Sequence, residues 1–201
     1  KTTTKNTIII LKNTNNDLEE AIRSLNIPIR QFGLQNFNIL NLFKLWFFLI
    51  SKKGSFYCWL YHSCFFSIPI LLFKKKTYWL IHHADPNDYN FPFFLKKILP
   101  FLSVFSNFIP TKILFCSNSG MNNHIKFGFS KKKSKLVYNG YDFDYFNKNK
   151  NKNKNKNNSI IKVGLVGRWH PVKDHKIMLK AISAVDNIQL HLIGYGLTKE
   201  N

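Results

Sequence analysis

The sequence predicts an α/β fold in two domains, with parallel strands alternating with helices. Three observations carry that prediction. Short apolar runs bounded by turn residues alternate with amphipathic segments along most of the 201 residues. Near the C-terminus, Ile160–Val166, Asp174–Val185 and Ile188–Ile193 follow one another as strand, helix and strand, the signature of a β-α-β unit. Between these regions lies Asn147–Asn158, NKNKNKNKNKNN, which cannot bury apolar surface and reads as a solvated linker. The expected organisation is a first domain over residues 1–146, a Lys/Asn linker over 147–158 and a second domain from 159 to 201.

Each element has its own justification. Thr7–Leu11 (TIIIL) is a buried strand. Asp17–Leu25 is a helix with Leu18, Ala21, Ile22 and Leu25 at the spacing of one apolar face, capped by Asn16 or Asp17 and ended at Asn26-Ile27-Pro28. Ile27–Arg30 is a short strand and Leu40–Ile50 a helix. Cys58–Tyr61 and Tyr78–Ile81 are short buried strands, each running into a His-bearing loop. Ile113–Ser117 is a strand, Ser119–Phe127 a helix, and Lys135–Tyr138 a strand ending at the turn signal Asn139-Gly140. In the second domain Met178, Ala181, Ile182 and Val185 share one helix face.

Hydrophobic residues make up 45% of the chain, with 20 Phe, which favours a globular protein. The formal net charge is +20, from 30 Lys and Arg against 10 Asp and Glu, which favours anionic partners. Nearly all of that charge is Lys, in a chain loaded with Asn, Ile and Phe. Arg, which reads phosphate and guanine edges as a planar fork, occurs only as Arg23, Arg30 and Arg168. No RNP, KH or zinc-knuckle pattern is present, and nucleic acid is not an expected partner. Three cysteines, Cys58, Cys64 and Cys116, without a C-x-x-C pair, fit a reducing, cytoplasmic compartment. The longest apolar stretch, Trp59–Phe73, is shorter than the ~20 residues of a membrane helix and contains His62 and Pro69.

The segment richest in chemistry is Gly164–Lys173, GLVGRWHPVK. A strand ends at Val166, Gly167 permits a tight turn, and Arg168 and Lys173 bracket a loop before a helix start. Backbone amides at a helix start together with two cations suit a diphosphate. The following strand ends in Gly194-Tyr195-Gly196, a second loop at the same carboxyl edge, where open α/β sheets bind ligands.

Taken together, G-R-x-x-P-x-K-D-H, a helix carrying K-A-I and then L-I-G-x-G over Val163–Gly196 resembles the donor-binding half of family-4 glycosyltransferases. A second block resembles the same family: Cys116-Ser117, His124, Gly128-Phe129, Lys135, and Asn139-Gly140-Tyr141-Asp142 ending at Phe146. The resemblance implies two Rossmann-like domains of the GT-B kind, the first nearly complete and the second represented by its first β-α-β unit. It implies transfer of a sugar, with retention, from a nucleoside-diphosphate sugar to a glycan or lipid-linked acceptor, without cofactor or metal. Cell-envelope polysaccharide or glycolipid synthesis is the setting it suggests, and peripheral contact with the inner face of an anionic membrane is a further expectation.

In that reading Gly167, Arg168 and Lys173 bind the donor diphosphate and Gly194 and Gly196 form a donor-binding loop. Asn139, Gly140 and Asp142 would line the interdomain cleft. The strand ends Trp59–Ser63 and Trp79–Asp85 resemble two cleft loops of the family, and relatives place a His of the later loop beside the reacting sugar. Either His82 or His83 matches. Successive side chains of an extended segment face opposite ways, so one of the two faces inward, and His83 is favoured. An ordinary structural or surface histidine is the competing reading for both.

Relatives begin with an extra strand and Gly-rich loop and carry a Glu-x7-Glu motif downstream, whereas the only late acid here is Glu200. The chain is therefore expected to be truncated at both ends.

Other chemistries find little support. Of the ten acids only Asp85 and Asp88 lie close together in a plausible loop, which disfavours a carboxylate-pair hydrolase. Cys58, His62 and Cys64 have irregular spacing for zinc. Neither G-x-S-x-G nor G-x-x-x-x-G-K occurs. The alternative from another class is a catalytically dead fragment that binds membranes or polyanions. Phe91–Leu102 (FPFFLKKILPFL) mixes Phe, Leu and Lys as an interfacial helix would.

Overall fold

The computed structural model describes residues 6–13, 17–36, 38–73, 75–141, 143 and 160–197. Asn16, Asp142, Phe146, the Lys/Asn run 147–158 and Glu200 lie outside the described residues. The chain divides into two compact units, Lys1–Gly140 and Tyr141–Asn201.

The first unit opens with a small β-α-β motif. Strand β1 (Ile8–Ile10) pairs in parallel with β2 (Ile29–Gln31), and helix α1 (Asp17–Ser24) connects them. The most buried of its described side chains is Glu19, which is 5% exposed. Arg23 Nη2 donates to its carboxylate at 2.6 Å and Gln31 Nε2 at 2.7 Å, tying α1 to β2. Of the expected apolar face, Ile22 is half-buried, whereas Ala21 and Leu25 are exposed. Only the Glu19 side of this ion pair is buried, and it keeps both partners there, while the Arg23 side chain stays 58% exposed.

Helix α2 (Ile39–Ser51) follows, with the Asn38 side chain accepting from the amides of Leu40 and Asn41. At its other end the Lys75 ammonium donates to the carbonyls of Leu49, Ile50 and Lys52, which have no partner within the helix. Leu45 and Leu49 of this helix pack with Leu34, Phe66 and Ile70 in one core cluster.

The main sheet holds β3 (Phe56–Trp59), β4 (Thr77–Ile81), β5 (Lys112–Phe115) and β6 (Ser134–Leu136), in that order and all parallel. The register aligns Cys58 with Trp79, Trp79 with Ile113 and Ile113 with Ser134. These residues share one face of the pleat, and Cys58, Trp79, Ile81, Ile113 and Phe115 are buried there. Three helices connect the strands: α3 (Leu60–Phe66), α4 (Phe93–Phe105) and α5 (Asn118–Phe127). Helix α4 contributes Leu95, Ile98, Leu99 and Leu102, a spacing of 3, 1 and 3 that makes one stripe, and all four are buried in the core. The segment read as an interfacial helix therefore has its leucine face committed to the interior.

Two expectations change here. Leu60 and Tyr61 belong to α3 rather than to the preceding strand, and His62 sits on that helix rather than in a loop. The largely apolar run from Trp59 hid the boundary, because period 2 and period 3.6 are hard to tell apart where few polar residues mark a face.

The second unit is a parallel pair, β7 (Ile161–Val166) and β8 (Ile188–Ile193), in register from Ile161 opposite Ile188 to Val166 opposite Ile193. Between them run a 3-10 turn (Pro171–Lys173) and helix α6 (His175–Ser183). Met178 and Ile182 are half-buried, whereas Ala181 and Val185 are exposed. The helix ends short of Val185 because the chain turns at Asp186-Asn187, where Asn187 adopts a φ of 59°. No helix among the described residues is long and apolar enough to cross a membrane.

Candidate functional site

All four strands of the main sheet run the same way, so the segments after β3, β4 and β5 emerge at one edge, the carboxyl edge. His82 and His83 follow β4 there. The pleat continues through them and turns the rings to opposite sides. His82 stacks on exposed Trp59 at 5.2 Å between centroids, whereas His83 stacks on buried Tyr61 at 5.1 Å with an interplanar angle of 11°. The edge of Phe91 closes against His83 at 5.0 Å and 87°. Burial lowers the His83 pKa, helped by the neighbouring His82, while Asp88 works in the opposite direction. The ring is therefore neutral at pH 7. Among the described residues neither of its ring nitrogens makes a hydrogen bond.

Below Tyr61 lies a polar pair. His124, with no exposed surface, brings Nδ1 within 2.7 Å of the Gly120 carbonyl, and its Nε2 is 2.6 Å from Tyr61 Oη. A carbonyl only accepts, so Nδ1 carries the proton and Nε2 accepts the Tyr61 hydroxyl. Burial acts on both groups, holding the imidazole neutral and the phenol protonated.

Helix α5 also braces the histidine loop. Asn123 Nδ2 donates to the Ala84 carbonyl at 3.0 Å, and a Cβ on Gly120 would stand 3.1 Å from the His83 carbonyl and 2.9 Å from Ser117 Oγ. Only glycine permits that approach without displacement. Asp85 and Asp88 each accept a backbone amide two residues on, from Asn87 and Asn90, and shape the remainder of the loop. On α3, His62 stacks on Phe94 at 5.8 Å, and burial, the charge of Lys12 and that of His83 lower its pKa.

In the second unit the expected diphosphate residues gather at the carboxyl ends of β7 and β8. The strand ladder continues past both strands, since the Gly167 amide donates to the Ile193 carbonyl at 2.8 Å and the Trp169 amide to that of Tyr195 at 2.8 Å. Gly194 sits against this turn so closely that a Cβ would lie 2.1 Å from the Gly167 carbonyl oxygen. A Cβ on Gly167 would meet the Lys173 stem, Cδ at 3.3 Å, so the lysine folds over the turn while its residue remains exposed. Arg168 is exposed beside it. Asp174, at a φ of 45°, caps α6 by accepting from the Ile177 amide, and His170 Nδ1 accepts from the Val172 amide. Buried His175 lies under Trp169, 5.0 Å between ring centroids. Two cations, a glycine turn and a capped helix start thus share one edge, a combination that can hold a multiply charged phosphate.

Asn139 and Gly140 are exposed at the end of the first unit. Among the described residues, no three of His, Cys, Asp or Glu assemble as a metal would require. The sequence reading missed Tyr61 as a partner of His83 and His124. Its signal was the spacing Tyr61, Cys64, Phe65, a helix face inside an apolar run.

This arrangement of parallel strands, connecting helices and carboxyl-edge loops is that of a partial Rossmann-like α/β fold. The chain shares its fold with HepE of Anabaena. Against HepE in complex with UDP-glucose the TM-score is 0.69 at 15% identity, over 96% of this chain and 54% of HepE. Against HepE in complex with UDP and glucose it is 0.66 at 14% identity, over 92% of this chain and 52% of HepE. The UDP complex of HepE again gives 0.69. The chain thus spans about half the length of HepE. No family model and no curated protein matches the sequence.

Proposed function

We propose that this chain is part of a glycosyltransferase that takes a sugar from a nucleoside-diphosphate donor. The observation that carries this reading is the second unit's carboxyl edge, where the Lys173 stem folds over Gly167 and Gly194 packs against the same turn. HepE, whose fold the chain shares, is known in complex with UDP-glucose, and that likeness supports a donor of this class.

In this reading the leaving diphosphate gains charge as the glycosidic bond breaks. Arg168 and Lys173 supply the positive charge that meets it at this edge. Gly194 and Gly196 keep the second loop low enough for the donor to approach. In the same reading His83 is a hydrogen-bonding group for the sugar, and transfer retains the configuration at the anomeric carbon. The acceptor is a glycan or a lipid-linked sugar of envelope polysaccharide or glycolipid synthesis.

Membrane contact belongs to the same proposal. The outer side of α4 and the turn after it expose Phe93, Phe101, Val104 and Phe108, with Lys97 Nζ 5.3 Å above the Phe93 ring. Phenylalanines beside lysines suit an anionic lipid surface on the cytoplasmic side.

The test is calorimetric titration with UDP-glucose, then with other nucleoside-diphosphate sugars. Saturable binding is expected, weakened about 10–100-fold by Lys173→Ala as a charge-assisted contact is lost. Where turnover is measured, that variant should lose about 100-fold or more. Equal affinity of wild type and variant for every donor would defeat the proposal.

A further inference from the structure

We infer that Tyr61 is the positioning residue for His83, held in place by His124 from below and by the left-handed turn at Leu60 from behind. The inference rests on the reading of His83 as the residue beside the sugar and extends it to the side chain that orients it.

Three observations converge on Tyr61. Its ring lies 1% exposed and nearly parallel to the His83 imidazole, at 5.1 Å and 11°. Its hydroxyl is anchored by His124 Nε2 at 2.6 Å, and that histidine is itself fixed by the Gly120 carbonyl. The third is backbone strain. Leu60, directly before Tyr61, has a φ of 65°, a conformation that a branched, bulky residue adopts only at a cost. Strand β3 ends at Trp59 and α3 starts at Leu60, so this one residue reverses the chain and brings Tyr61 inward under the β4 loop.

A tyrosine that merely filled the core would need neither a strained turn nor a buried hydroxyl partner. Phenylalanine on an unstrained connection would fill the same volume and leave no polar group to satisfy. The geometry instead fixes the plane of Tyr61, and a stacked imidazole takes its plane from the ring beneath it. Phe91 closes the remaining side edge-on at 5.0 Å, so His83 has one orientation rather than a range of rotamers. The titratable groups that act on it are Asp88 and His82 of its own loop, His62 of α3 and His124 of α5, while Asp85 acts on Tyr61 and His124.

The experiment is NMR of the protein labelled in its histidine rings, with pH titration, for wild type, Tyr61→Phe, Tyr61→Leu and Leu60→Gly. In the wild type the His83 ring protons lie upfield under the Tyr61 ring current, and His124 shows the Nδ1–H tautomer. Tyr61→Phe keeps the upfield shift of His83 and loses the His124 hydrogen bond. Tyr61→Leu loses the shift and moves the His83 titration midpoint upward. Leu60→Gly, for which a φ of 65° costs nothing, keeps the turn and the shift. A His83 midpoint unchanged in Tyr61→Leu, or wild-type His83 ring protons that are not shifted upfield, would overturn the inference. UDP-glucose is added in a second arm. If His83 depends on Tyr61 but ignores every nucleoside-diphosphate sugar, the stacking assignment stands and the transferase reading falls.

Discussion

Gly194 shows how much a single missing atom decides. Its neighbour at the turn is a backbone carbonyl, which cannot swing away as a side chain does, and a methyl group would stand 2.1 Å from it. Gly194→Ala should therefore destabilise the second unit by about 1–3 kcal/mol and displace the Gly167 turn. Chemical denaturation together with donor titration checks both effects. The cysteines differ by the same logic of surroundings. Burial pushes the Cys58 thiol up to about 11, and Cys64, fully buried, lies well above its ordinary range. Cys116 is only half-buried. At pH 7 a thiol-specific reagent should modify Cys116 in the native protein and reach Cys58 and Cys64 only on unfolding, which mass spectrometry of the labelled chain would count.

At the scale of elements, helix ends and interruptions are where the sequence departs from the ideal. Lys75 serves the C-terminus of α2 from a different segment, donating to three carbonyls and lying 5.6 Å from the Phe56 ring. Lys75→Met keeps the aliphatic stem and removes the donor, and should cost about 1 kcal/mol. Helix α4 carries Pro100 within its length. A proline there cannot donate to the preceding turn, and its ring crowds the carbonyl four residues back. The position is exposed, so Pro100→Ala should stabilise the protein by about 1–3 kcal/mol, read as a higher denaturant midpoint. A fall in midpoint would mean that the rigid ring restrains the unfolded chain more than it strains the helix.

On the scale of the whole molecule, acid sensitivity follows from two histidines held inside the fold. His83 and His124 both have their pKa lowered, with burial the largest cause in each. Below about pH 6.5 an unfolded histidine takes up a proton that the folded site resists. The unfolded state then binds more protons, so stability present above that pH is lost as the pH falls. The urea midpoint should drop between pH 7 and pH 5, and His124→Gln should make that drop shallower. The net charge of +20 acts in the same direction, because protonating carboxylates leaves the lysines without counter-charge. Added salt should recover that charge contribution and leave the histidine contribution, which arises from desolvation.

Most element types and their order were legible in the sequence because they depend on local pattern, with helix α3 the exception. The ends of β7 and β8 matched to within a residue, since Gly167 and Gly194 mark where regular pairing must give way to a turn. The diphosphate candidates were legible for the same reason: a glycine, two cations and a helix start lie within a few residues of one another. What crosses the chain was not legible. Nothing local tells that Glu19 is buried while Leu25 is exposed, or that Lys75 caps α2. The choice between His82 and His83 as the inward ring depended on which face of β4 the helices cover. Tyr61, His83 and His124 come from three separate connections, and only a parallel sheet that delivers all its carboxyl ends to one edge brings them together. Sequence spacing determines the elements, because backbone hydrogen bonding and apolar periodicity act over a few residues. Tertiary structure determines the site, because hydrogen bonds and ring contacts between distant segments form only once the sheet has ordered them.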